Sequence, residues 1–229
     1  MPEVFGGAQL SAWIEQRDVR EFERSKALSG TIIGLIVGAL LITLSVGVMV
    51  GLGAASIVRG HQFVFSSSTI VPVLVVPLLE ELIFRGIIFR IIEEVWGTTV
   101  ALVASAVLFG LAHLLNENST MLAASCITIE LGVLLALAYV VTRSLWLPIG
   151  IHAGWNCAEG NILGTPDSGN VVHGIFETAM NGNPLITGSA FGPEASLVTP
   201  VFSLIGAVLL YQYARKQGQW KPASDRKAV

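Results

Sequence analysis

Apolar residues run through this chain in long blocks, and the polar positions between them mark where elements should begin and end. A helix needs about 20 apolar residues to cross a bilayer. Six blocks approach or exceed that length: 30–53, 66–95, 98–115, 121–141, 145–163 and 196–213. Trp96-Gly97 is expected to turn the chain between the second and third, Asn116 to Thr120 forms a polar loop, and Arg143 ends the fourth. The pattern predicts an all-α fold, a polytopic helical bundle of about six transmembrane helices spanning 30–214. An arm (1–29) precedes it and a basic tail (215–229) follows. Within the arm, Trp13 to Arg24 fits an interfacial helix and a solvated cytoplasmic segment equally well. Pro72 and Pro77 each lack an N–H, which predicts a kinked or widened helix there. Gly34/Gly38 and Gly47/Gly51 have the spacing that lets helices approach closely in lipid. Residues 54–65 read as a short polar connection. Residues 165–195 read as a Gly/Pro/Asn-rich loop without a single Lys or Arg.

Composition supports the membrane assignment. The chain is 53% hydrophobic and 13% charged, where soluble domains carry about 25% charged residues. No basic patch with interleaved aromatics occurs, so nucleic acid is not an expected partner; the lipid bilayer is. Cys126 and Cys157 lack CxxC spacing and read as packing residues. No cleavable signal peptide is expected, because the first ~28 residues are polar. With both termini cytoplasmic, eleven of the thirteen Lys and Arg residues fall inside, which satisfies the positive-inside rule. Arg85 lies within a span and Arg59 falls outside.

Some polar groups sit where hydrocarbon makes them costly, on the order of 3 kcal/mol each. Glu80, Glu81 and Arg85 lie inside the second block. Glu81 and Arg85 are i,i+4 and can pair on one helix face. Glu80 points about 100° away and is left for chemistry. His113, in Phe109-Gly-Leu-Ala-His113, lies about as far beyond the Trp96-Gly97 turn as Glu80 lies before it. An antiparallel hairpin would therefore put both at a similar depth, roughly 24 Å from the turn. A carboxylate beside an imidazole can deprotonate a water or share a metal. His152 and Asn156 are also i,i+4, and their N–H groups suit an oxyanion. Glu130 is a further intramembrane carboxylate with no evident partner. HExxH and GxSxG are absent, and Asp18, Asp167 and Asp225 all lie in polar segments, which excludes an aspartyl intramembrane protease. A proton-coupled transporter using Glu80, His113 and Glu130 is a competing reading, weakened by the lack of an internal repeat.

Glu80-Glu81-x-x-x-Arg85, Phe109-x-x-x-His113 and His152-x-x-x-Asn156, in that order on the second, third and fifth spans, resemble the three signature motifs of the CPBP intramembrane proteases. This family is also called the CAAX prenyl protease 2/lysostaphin resistance protein A-like or Abi family. Phe84-Arg-Gly86, the stretch 144–149 and the segment 185–196 extend the resemblance to roughly 71–196. The resemblance implies an intramembrane endopeptidase, of glutamate or metalloprotease type, in a prokaryotic plasma membrane. Its substrate would be a peptide or a membrane-associated protein. Glu80 would be the general base, His113 would help position the water, His152 and Asn156 would line the oxyanion site, and Glu81 and Arg85 would support Glu80. If a metal is used, zinc held by Glu80, His113 and His152 is the implied arrangement. A non-catalytic scaffold or bacteriocin-immunity factor of the same fold is the alternative within the family.

Overall fold

The computed structural model describes residues 21–60 and 66–223. Helix α1, Ala27–Gly51, is followed by strand β1, Ala55–Gly60. A long helical run then extends through 67–115. It reverses at Gly97, whose φ of 78° and ψ of 173° are non-helical, giving α2 (67–96) and α3 (98–115). Next come α4, Met121–Thr142, α5 (146–162), strand β2, Phe176–Met180, the short α6, Pro184–Thr187, and α7, Thr199–Lys216.

Three helical runs among the described residues are long and apolar enough to cross a membrane: Arg24–Gly51, the folded-back Val71–Leu115, and Met121–Thr142. The fifth and sixth expected spans are helical but more polar. Helix α5 carries His152, Asn156, Glu159 and Asn161, and α7 ends in Gln212, Arg215 and Lys216. The fold also departs from all-α. Strand β1 pairs antiparallel with β2, Ala55 opposite Met180 and Gly60 opposite Phe176. The expected polar connection and part of the expected loop therefore join into a small sheet, with Arg59 ion-paired to Glu177 across it.

Helix α1 packs closely on α5. A Cβ on Gly34 would lie 2.6 Å from Leu147 O, one on Gly38 would lie 1.9 Å from Ile151 O, and one on Gly154 would lie 2.2 Å from Leu35 O. Only bare backbone permits that approach, which lets the two helices gain dispersion contacts without large side chains. Gly47 and Gly51 meet nothing, so only the first of the two expected small-residue pairs is an interface. The core behind the site gathers Ile42, Phe109, Ile127, Leu134, Leu135 and Trp155, all within 1% of full burial.

At the Gly97 turn, the segment after α7 docks. A Cβ on Gly97 would meet Ala223 N at 2.6 Å, and Thr98 N donates to Lys221 O at 3.0 Å. Buried Glu93 accepts from Thr98 Oγ1 (2.6 Å), Arg143 Nη1 (2.5 Å) and Lys221 Nζ (3.0 Å). The last described residues of the arm also dock: Leu145 N donates to Glu21 O at 2.8 Å, and Phe22 meets Trp146 edge-on. The segment from Trp13 to Arg24, open to an interfacial helix or a solvated arm, falls mostly on residues outside those described.

Candidate active site

The site begins with a helix that does not keep the α period. Around Pro72 and Pro77, α2 widens into a π turn, Val71–Val75, in which Val76 N–H reaches back five residues to Val71 O. The same pattern would pair Pro72 O with residue 77, which is proline and has no N–H. Asn156 Nδ2, on α5, donates to that orphaned carbonyl at 2.9 Å. Asn161 Nδ2, further along α5, donates to Thr69 O at 2.8 Å. Two amides thus fasten the irregular start of α2 to α5. A second π turn, Leu82–Phe89, follows the carboxylates.

Glu81 and Arg85 are both fully buried and joined as expected, Arg85 Nη1 donating to Glu81 Oε1 at 2.8 Å. Arg85 Nη2 donates to Leu131 O (3.2 Å) and Gly132 O (3.1 Å) on α4. Its guanidinium carbon lies 4.4 Å from the Phe109 ring centre. The same Glu81 oxygen meets His152 Nδ1 at 3.2 Å. A carboxylate already holding a guanidinium only accepts, so Nδ1 carries the hydrogen and Nε2 faces outward. There His152 Nε2 stands 3.9 Å from Glu80 Oε2, an oxygen buried without a hydrogen-bond partner. Glu81 therefore supports His152 directly, and His152 in turn faces Glu80.

His113 sits where α3 tightens into a 3₁₀ turn. Its Nδ1 lies 2.8 Å from Phe109 O. A carbonyl only accepts, so Nδ1 is protonated and Nε2 is the free acceptor. Phe109 contacts both imidazoles, tilted against His113 with centroids 4.9 Å apart and edge-on to His152 at 6.0 Å.

Glu80, His113, His152 and Asn156 all line one cavity of about 610 Å³, together with Asn116 and Asp167. Hairpin and fifth helix thus bring Glu80, His113, His152 and Asn156 to a common space, whereas Glu81, Arg85 and Glu130 do not line it. The implied zinc set does not close on a point. Among the described residues, the group whose ligand atoms lie within 4.8 Å of one another is Glu159, Asp167 and Glu194; Glu80, His113 and His152 do not converge in that way.

Those three acids were not singled out as site residues. Glu159 lies one turn beyond Trp155, whose Nε1 donates to Glu159 Oε2 at 2.9 Å. Asp167 stands on the cavity wall. Burial first, then the charge of Glu194, pushes its carboxyl up to about 8. The i,i+7 relation of His152 and Glu159 was a usable helical signal; nothing local announces Asp167 or Glu194.

Residues 62–158 match the family model described as type II CAAX prenyl endopeptidase Rce1-like. The match covers 97 of the 229 residues and supports membership of the CPBP family. The matched stretch contains Glu80, Glu81, Arg85, His113, His152 and Asn156, and ends just before Glu159. Neither a curated protein nor a solved structure matches the chain. The likeness to a type II CAAX endopeptidase family and the three long apolar helical runs point to a membrane protein.

Proposed function

We propose that this chain is an intramembrane endopeptidase that hydrolyses a peptide bond of a peptide or membrane-associated protein, through a water activated by Glu80. The observation that carries the reading is the shared cavity: a carboxylate with an unpartnered oxygen, two oriented imidazoles and an amide border one space. Glu80 takes a proton from the water as it attacks the scissile carbonyl, then passes that proton to the leaving amine. His113 accepts from the water through Nε2 and holds it against Glu80. His152, in its imidazolium form, donates Nε2–H to the oxyanion, and Asn156 offers the N–H that Pro72 O does not use. Arg85 and Glu81 keep the His152 ring in orientation. No step is routed through zinc. The six-span topology with both termini cytoplasmic belongs to the same proposal.

The test is a comparison of wild-type protein and Glu80→Gln in liposomes carrying a library of membrane-anchored peptides, with products read by mass spectrometry. Cleavage should vanish in the variant while insertion and melting temperature stay close to wild type. Products formed at the wild-type rate by Glu80→Gln would overturn the mechanism.

A further inference from the structure

Glu159, Asp167 and Glu194 come from three separate places: helix α5, the loop after it, and the 3₁₀ turn Pro193–Ala195 ahead of α7. All three are at least 94% buried, and one oxygen of each lies within 4.8 Å of the others. Three carboxylates brought so close in low dielectric repel one another strongly. The segment 164–196 contributes no Lys or Arg to offset them.

A second observation points to a ligand. Glu159 is fully buried, with Oε2 tied to Trp155, while Oε1 has no hydrogen-bond partner. That free oxygen lies beside Gly192, in the loop segment that carries Glu194. A Cβ on Gly192, two residues before Glu194, would lie 3.5 Å from Glu159 Oε1 and 2.3 Å from the carbonyl of Pro166, which precedes Asp167. Gly192, at a φ of 116°, thus lets the two segments approach with no side chain between them. Glu194 is held in place by Ser168, whose N (3.1 Å) and Oγ (2.6 Å) both donate to its Oε2. On α4, Glu130 is fully buried with both oxygens unpartnered.

We propose that Glu159, Asp167 and Glu194 bind a hard divalent cation of the Ca²⁺ or Mg²⁺ class, which ties the 164–196 loop to α5 beside the cavity. An all-carboxylate donor set selects hard, oxygen-seeking ions over zinc or copper. The site is separate from Glu80 and His113 and goes beyond the peptidase assignment. Asp167 belongs to both the cation site and the cavity wall, so the ion would fix one side of the space a substrate enters.

Mn²⁺, a hard ion visible by electron paramagnetic resonance, is the probe. Chelator-treated wild-type protein in detergent should bind one Mn²⁺ per chain, displaced by Ca²⁺ or Mg²⁺, and each ion should raise its melting temperature. Glu159→Gln and Glu194→Gln should weaken Mn²⁺ binding about tenfold or more, whereas Glu80→Gln and His113→Ala should keep it. Those last two variants separate this site from the peptidase reading, since binding is measured without turnover. Should a glutamine variant fail to fold, stoichiometry and cation-dependent melting of the wild type decide alone. Absence of stoichiometric binding by wild type at millimolar ion would overturn the proposal and leave a proton-sharing carboxylate cluster. Binding that persists in Glu194→Gln but disappears in Glu80→Gln would overturn it equally.

Discussion

Arg85 shows how much one buried side chain organises. Its charge has no solvent to return to, so it draws Glu81 from its own helix and two carbonyls from α4. The i,i+4 spacing made the Glu81 pair legible in the sequence. The carbonyls of Leu131 and Gly132 were not, because they belong to another helix whose own π turn, Thr128–Gly132, breaks the regular pattern. Removing one partner of a buried ion pair costs about 3–5 kcal/mol; Arg85→Ala is expected to lose that much, read by denaturant unfolding in micelles. Glu81→Gln is a subtler change, keeping the shape while losing the charge that holds the His152 imidazolium in place. By analogy with buried acids that orient catalytic imidazoles, its kcat should fall by about 10²-fold or more with KM little changed. A loss confined to KM would remove Glu81 from that role.

Helices in this protein depend on what they cannot do alone. Proline at 77 leaves Pro72 O without a helical donor, and Asn156 supplies one. Asn156→Leu should therefore cost about 1–3 kcal/mol from a carbonyl buried without a partner. Adding Pro77→Ala in that background restores an N–H and should recover part of the loss, measured as a double-mutant cycle on melting. Strict additivity would show that the two positions are not linked. The prolines announced irregularity in the sequence, but the partner amide came from 84 residues away. Glycine patterns were half informative for a similar reason: spacing marks a small stripe, and only packing decides which stripe is covered. Gly38→Leu should prevent α1 from seating on α5, whereas Gly47→Leu should leave the fold intact, by size-exclusion profile and melting temperature.

At the scale of the molecule, the hairpin of α2 and α3 carries Glu80 and His113, and its turn is clamped from outside by residues near the end of the chain. Glu93 is the centre of that clamp, with three donors on one buried carboxylate. Glu93→Ala should lower the melting temperature by several degrees, and the backbone amides near Gly97 should exchange faster with solvent. The Gly97 turn and its antiparallel hairpin could be read from Trp96-Gly97. The docking of 217–223 onto it could not, since the segment is short, lacks periodicity and holds one large apolar anchor, Trp220. The strand pairing between Ala55–Gly60 and Phe176–Met180 was equally hidden, because about 120 residues separate the partners and neither strand alternates clearly. The carboxylates were visible one by one; their convergence required loops whose geometry no period encodes.

The π turn at Val71–Val75 bears on the kinds of genetic change the site tolerates. Such a turn is an α-helix carrying one extra residue. A single-codon deletion there would restore the regular period and shift the two halves of α2 by about 100° relative to each other. Either Thr69 would leave Asn161, or Glu80 would swing out of the cavity. Substitution can be absorbed locally in this stretch, but a change in length cannot, so natural variation across 71–75 should alter residue identity and never residue number.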